Sequence, residues 1–255
     1  MNRIQQVLSV MIVASALVSC ARAPVKNPVT NTKKAEINTQ LGVEYLRKGM
    51  HEASLQKLEK ALKQDSRHAP AHDAIAVLYE RLGENDKADS HYKRSLSLDG
   101  KNAATLNNYG QYLCRQNKLD KADAHFLKAV ENPLYRYPEM IYTNAGICAG
   151  RVPDQRKAEG YFRKALAKNA AYAPALKEMI RLSFTQDNYL GARAYLQRYE
   201  TKGPLDAKML WVAVQTEKHL GDKDAMAKYK LLLKNKFPDS AQATELRKWE
   251  NERSH

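Results

Sequence analysis

Cys114 and Cys148 stand 34 residues apart, with no Cys-x-x-Cys pair beside either. Two thiols so placed can close a disulfide or stay as buried free thiols; a zinc or redox motif would need another cysteine close by. His68 and His72 are four apart, the spacing of two metal ligands on one helical turn. Pro70 lies between them at an expected helix start and no third ligand is near, so a surface turn is the better reading. There is no glycine-rich phosphate loop. Most of the 14 tyrosines fall at recurring core positions, which favours packing over base stacking. A peptidoglycan enzyme would need a carboxylate or serine poised in a cleft, and none emerges. The residues therefore point to a non-enzyme, with no cofactor, metal or small-molecule substrate.

The third cysteine, Cys20, has a different setting. Residues 1–20 read MNRIQQVLSVMIVASALVSC. Arg3 supplies a positive start, and Val7 to Val18 is apolar over a length that suits a signal-peptide core but is short for a membrane span. Leu17-Val18-Ser19-Cys20 resembles the bacterial lipobox, which implies cleavage after residue 19 and a diacylated Cys20. Ala21 stands where an Asp would retain an enteric-type lipoprotein at the inner membrane, so the outer membrane is expected. Residues 20–34, with Pro24 and Pro28, read as a flexible tether. The formal charge is +14. Its bases are spread along the chain and alternate with acids, which reads as a solvated surface with a mild attraction to an anionic membrane face. An exported chain does not routinely meet nucleic acid.

The bulk of the chain repeats. A small residue after an apolar one recurs at Gly42, Ala76, Gly110 and Gly146, in steps of 34, 34 and 36, with weaker echoes at Ile180 and Ala213. Twelve residues on come Ser54, Ala88, Ala122, Ala158, Ala192 and Ala225. Four further lie bulky residues, Leu58, Tyr92, Phe126, Phe162, Leu196 and Tyr229. Turn residues Gly49, Gly83, Asn117 and Gly221 sit between the halves of a unit. This pattern resembles the tetratricopeptide repeat, a pair of antiparallel helices whose units stack into a superhelix. The expected fold is all-α: six repeats over residues 35–240, starting near 35, 69, 103, 139, 173 and 206, then a capping helix and tail over 241–255 with Leu246 and Trp249 inward.

In such repeats the first helix lines the concave groove. The groove is expected to show Val43 and Leu46 in repeat one, as an apolar patch, with Asn107, Asn108, Gln111 and Arg115 in repeat three and Asn144 in repeat four. A mid-helix Asn costs helix propensity, so it implies a partner, either a bound peptide backbone or a neighbouring repeat. Cys114 and Cys148 fall at similar heights on adjacent first helices, and a disulfide tying repeats three and four is expected in an oxidising compartment.

The stretches Leu106-Asn-Asn-Tyr-Gly-Gln-Tyr-Leu-Cys114, Asn132-Pro-Leu-Tyr135, Pro138-Glu139 and Asn144-Ala-Gly-Ile-Cys-Ala149 resemble the type IV pilus biogenesis/stability (PilF/PilW, or pilotin) family. The resemblance runs the whole chain: lipobox, six repeats and a two-residue expansion before repeat four. It implies an outer-membrane lipoprotein that helps the pilus secretin localise or multimerise, with the groove binding a secretin segment. The other reading is a tetratricopeptide lipoprotein serving a different envelope assembly, such as a Tad-type pilus or a cell-wall complex.

Overall fold

A computed structural model describes residues 28–153 and 155–252. The leader, Cys20 and the start of the tether lie outside the described residues. Among the described residues there are thirteen helices. They pair as α1 (Pro28–Arg47) with α2 (His51–Gln64), α3 (Ala69–Arg81) with α4 (Asn85–Leu98), and α5 (Ala103–Arg115) with α6 (Leu119–Val130). The series continues with α7 (Pro138–Ala149) and α8 (Arg156–Lys168), α9 (Ala173–Thr185) and α10 (Tyr189–Glu200), α11 (Ala207–Leu220) and α12 (Lys223–Lys236). A single helix, α13 (Ala241–Asn251), closes the array.

One boundary differs from expectation. Residues 28–34, read as tether, are the first turns of a twenty-residue α1. Proline is tolerated at a helix start because its missing N–H would have no partner there. The added turns reach the end of α2, where the Thr32 hydroxyl donates to Asp65 Oδ2 at 3.3 Å.

The turns inside the repeats follow the 34-residue beat. Gly49, Gly83, Asn117, Asp187 and Gly221 all take positive φ, between 56° and 77°, a region costly for side chains other than Asn, Asp or none. Asp187 carries no glycine to announce it. Helix starts are capped where the sequence offers an oxygen: Asn102, Asn188, Asp206, Asp222 and Ser240 each accept an N–H three residues on.

The backbones of first helices approach those of neighbouring first helices, whereas second helices stand further apart and meet only through side chains, as Tyr161 of α8 does at Asp123 of α6. The stack therefore curves with first helices inside and second helices fanned along the outer face. The small anchors allow the close approach within each pair. A Cβ added to Gly110 would lie 2.8 Å from the Phe126 ring, and Phe126 is itself buried. Gly110→Ala is expected to cost about 1–3 kcal/mol by overpacking, read as a shifted urea midpoint with unchanged slope. The far end is sealed by α13: Leu246 and Ala243 are fully buried, and Trp249 meets Trp211 edge-on at 6.4 Å.

Candidate protein-binding groove

The concave face is laid out in rows because residues four apart on a helix advance only 40° around it. One row runs Val43, Val77, Gln111 and Ile147, each a repeat step apart. Val43 is 38% exposed and Ile147 46%. One turn on runs a row of arginines, Arg47, Arg81, Arg115 and Arg151, all exposed. Between α3 and α5 the rows enclose a cleft of about 400 Å³, lined by Val77, Glu80, Arg81, Asn108, Gln111 and Arg115.

The arginines are built in. Arg81 donates to the Leu46 carbonyl at 2.9 Å and Arg151 to the Cys114 carbonyl at 2.8 Å. These are the same bond one pair of repeats apart, and each adds a second donor to a carbonyl at the end of a first helix that already accepts an N–H from the following turn. Arg115 instead forms an ion pair with Glu80.

Two expected groove residues are elsewhere. Leu46 is 4% exposed and packs with Leu58, Ala74, Ile75 and Leu78. Three residues on from Val43 the helix has turned back by 60°, which points Leu46 at the next repeat and not into the groove. Asn107 is likewise buried, at 2% exposure. Its Oδ1 accepts from Asn144 Nδ2 at 2.9 Å, and Asn108 Nδ2 donates to Asp73 Oδ2 at 3.0 Å. The costly asparagines thus find neighbouring repeats as partners. Asn108 and Gln111 remain half-exposed at the cleft wall.

Leu46, Glu80 and Cys114 occupy one repeat position, and each ties its helix to the next first helix. Leu46 does so by apolar contact, Glu80 through Arg115, and Cys114 through a disulfide to Cys148 with Cα atoms 5.8 Å apart. His72 pairs with a histidine outside the sequence motif: its Nδ1 lies 3.0 Å from His91 Nδ1, and its Nε2 meets the Ser66 carbonyl. Burial lowers the pKa of both rings.

Two features were not read from the sequence. Ile37 and Leu41 on α1 are 49% and 43% exposed. Their repeat equivalents Ala71 and Ile75 are buried, because a preceding first helix covers that register in later repeats and no described helix precedes α1. The 34-residue step could have revealed this, since apolar residues at a stacking register of the first unit lack a neighbour. The second is Asp73, equivalent to Asn107. Burial raises its pKa to about 6, against the hydrogen bond from Asn108, and its Oδ1 is buried with no partner.

Below the ordinary carboxylate range both folded and unfolded chains are protonated and the site is neutral in effect. As pH rises from the ordinary carboxylate range to about 6 the unfolded chain gives up its proton before the folded chain does, so stability is lost across that window and levels off above it, where the folded chain buries the charge. Asp73→Asn turns the Asp73–Asn108 pair into a copy of the Asn107–Asn144 pair. It is expected to stabilise by about 1–2 kcal/mol at neutral pH, by less as pH falls below about 6, and by nothing below the ordinary carboxylate range. Thermal melts across that range check it; a gain independent of pH would disprove the burial account.

A curved stack of helix pairs with an open inner groove defines a tetratricopeptide-repeat scaffold, and tetratricopeptide repeat family models match residues 35–68 and 71–104. The chain is 31% identical over 240 residues to the type IV pilus assembly protein PilF of Pseudomonas aeruginosa, spanning 92% of this chain and 95% of that one. The solved structure of P. aeruginosa PilF superposes with a TM-score of 0.76, covering 86% of this chain and 98% of that one. PilW, described as a widely conserved type IV pilus biogenesis factor, gives 0.74 at 31% identity, covering 83% and 97%. The chain belongs to the PilF/PilW family of type IV pilus biogenesis proteins.

Proposed function

We propose that this protein is a pilotin: anchored by lipid on Cys20 to the periplasmic face of the outer membrane, it binds the type IV pilus secretin and promotes its localisation and multimerisation. The observation that carries this is the likeness to PilF along nearly the whole chain, which also favours a type IV pilus over a Tad-type or cell-wall assembly. The groove supplies the means. Apolar side chains in a concave surface, beside hydrogen-bonding groups already aimed by the fold, suit capture of a peptide segment. Val43 is the apolar contact in repeat one, joined at the open edge by Ile37 and Leu41. Asn108, Gln111 and Arg115 line the polar wall, and Ile147 continues the apolar row. Leu46, Asn107 and Asn144 serve the groove by setting its shape.

Val43→Glu combined with Gln111→Ala should leave a folded, membrane-anchored protein and remove most secretin multimers, since apolar anchors in such interfaces cost on the order of 1–2 kcal/mol or more each. Cys20→Ala should release the protein from the outer membrane, because anchoring scales with buried methylenes. Secretin multimers on heat-resistant gels and acyl labelling are the readouts. Normal multimers and pili from the groove variant would exclude this surface; wild-type anchoring of Cys20→Ala without acyl label would exclude the lipid.

A further inference from the structure

Charge is divided unequally between the two layers of the array. The six first helices carry nine Lys and Arg against seven Asp and Glu; the six second helices carry twenty against nine. Within the outer layer the division is sharper still. Helices α8, α10 and α12 hold twelve bases and three acids, whereas α2, α4 and α6 hold eight and six. The positive field of the molecule therefore sits on the convex side of repeats four to six.

The three acids there are Glu159, Glu200 and Asp224. Arg163 holds Glu159 at 2.6 Å and Lys228 lies 3.7 Å from Glu200. Glu250 of α13 comes across to Lys230 and Lys234. Lys164, Lys168, Arg198 and Lys202 face solvent around them. The Lys164 ammonium lies over the Tyr161 ring at 5.5 Å, and the Arg198 guanidinium lies over Tyr195 at 5.5 Å and donates to the Ala170 carbonyl, so both cations are held along the outer surface and remain exposed. Two leucines project from the same helices, Leu190 at 68% and Leu231 at 60% exposure. Leucines that stand alone among cations on a convex surface match neither a core nor a peptide groove. They match an interface in which cations meet headgroup phosphates and short apolar side chains enter the acyl boundary.

We infer that the convex face of repeats four to six docks on an anionic phospholipid surface, through Lys164, Lys168, Arg198, Lys202 and Lys228 with Leu190 and Leu231 entering it. The groove, on the opposite side of the helix pairs, then faces away from the lipid. The inference takes its setting from the membrane-anchored reading above, with the lipid at one end of the chain and this patch toward the other.

The test uses the chain from residue 21, which lacks Cys20 and keeps every described helix pair and the cap. Its circular dichroism melt serves as the folding control. Partition is measured on vesicles of phosphatidylethanolamine with about 30% phosphatidylglycerol, and on vesicles of phosphatidylcholine alone. Binding should favour the anionic vesicles by about a hundredfold and fall steeply with salt. Reversing Lys164, Lys168, Lys202 and Lys228 to Glu should lower partition at least about thirtyfold. Reversing Lys60, Lys63, Arg94 and Lys121, an equal charge change on α2, α4 and α6, should lower it far less. Leu231→Gln should lower it about tenfold, the worth of one buried leucine. Equal losses from both sets of reversals would reduce the effect to net charge and overturn the assignment. So would absence of vesicle binding, or retention of an acidic envelope protein by the patch without lipid. Neither acylation nor the secretin enters this measurement, so failure of the pilotin reading would leave it unchanged.

Discussion

Leu46→Glu is expected to melt the first repeat. The side chain is enclosed by Leu58, Ala74, Ile75 and Leu78, and the nearest cation, Arg81, already donates to the Leu46 carbonyl. Losing the leucine's burial and its apolar packing costs about 2–5 kcal/mol. In a stacked array each unit is held mainly by its neighbour. The damage should therefore concentrate in α1 and α2 and leave repeats three to six protected. Hydrogen exchange resolved by segment is the suitable measurement. Residues 28–64 should exchange near the unprotected limit while α5 to α12 stay protected. Val43→Glu, three residues away and 38% exposed, should change the melting temperature by no more than about 2 °C and act on partner binding alone. A Leu46→Glu protein with wild-type exchange in α1 would show that this position is open to solvent after all.

That pair of residues marks how far the sequence can be read. The spacing of Gly42, Ala76, Gly110 and Gly146 against Leu58, Tyr92, Phe126 and Phe162 specifies helix pairs without further information, because a ring and a glycine opposite each other make sense only where two helices nearly touch. Helix faces are legible to about one residue in four, and Leu46 fell on the wrong side of that margin. Its repeat equivalents show why. Glu80 and Cys114 share neither size nor polarity with a leucine, so no pattern of residue types announces a stacking position. The partners of Asn107, Asn108 and Asn144 were unreadable for another reason. A polar side chain on a first helix looks the same in sequence whether it meets a ligand or the next helix, and only the 2.9–3.0 Å distances to Asn107 and Asp73 decide it. The open leucine and isoleucine of α1 were available from the periodicity, by asking what each register buries and where the stack stops.

The disulfide carries the other large effect. Opening Cys114–Cys148, by reductant or by Cys114→Ala with Cys148→Ala, frees a loop of 34 residues. The chain-entropy account gives a loss of roughly 3–4 kcal/mol, which for a chain of this size lowers the melting temperature by about 6–15 °C. The consequence reaches the groove. Three ties join α5 to α7: the disulfide, the Asn144–Asn107 hydrogen bond and the bond from Arg151 to the Cys114 carbonyl. The corresponding seam between α3 and α5 has the Asn108–Asp73 bond and the Glu80–Arg115 pair. Rows such as Gln111 and Ile147 can present a partner with a fixed spacing only if these seams hold, and a preset spacing lowers the ordering cost of binding. Oxidised protein should thus melt higher and bind its partner more tightly than reduced protein. The double alanine variant should match the reduced wild type in both respects and show no response to reductant. Thiol titration of the unfolded, unreduced protein taken from the periplasm provides the direct check. Two reactive thiols per chain, or a melt that reductant leaves unmoved, would mean that the bond does not form in the native envelope and that the hydrogen bonds alone set the groove.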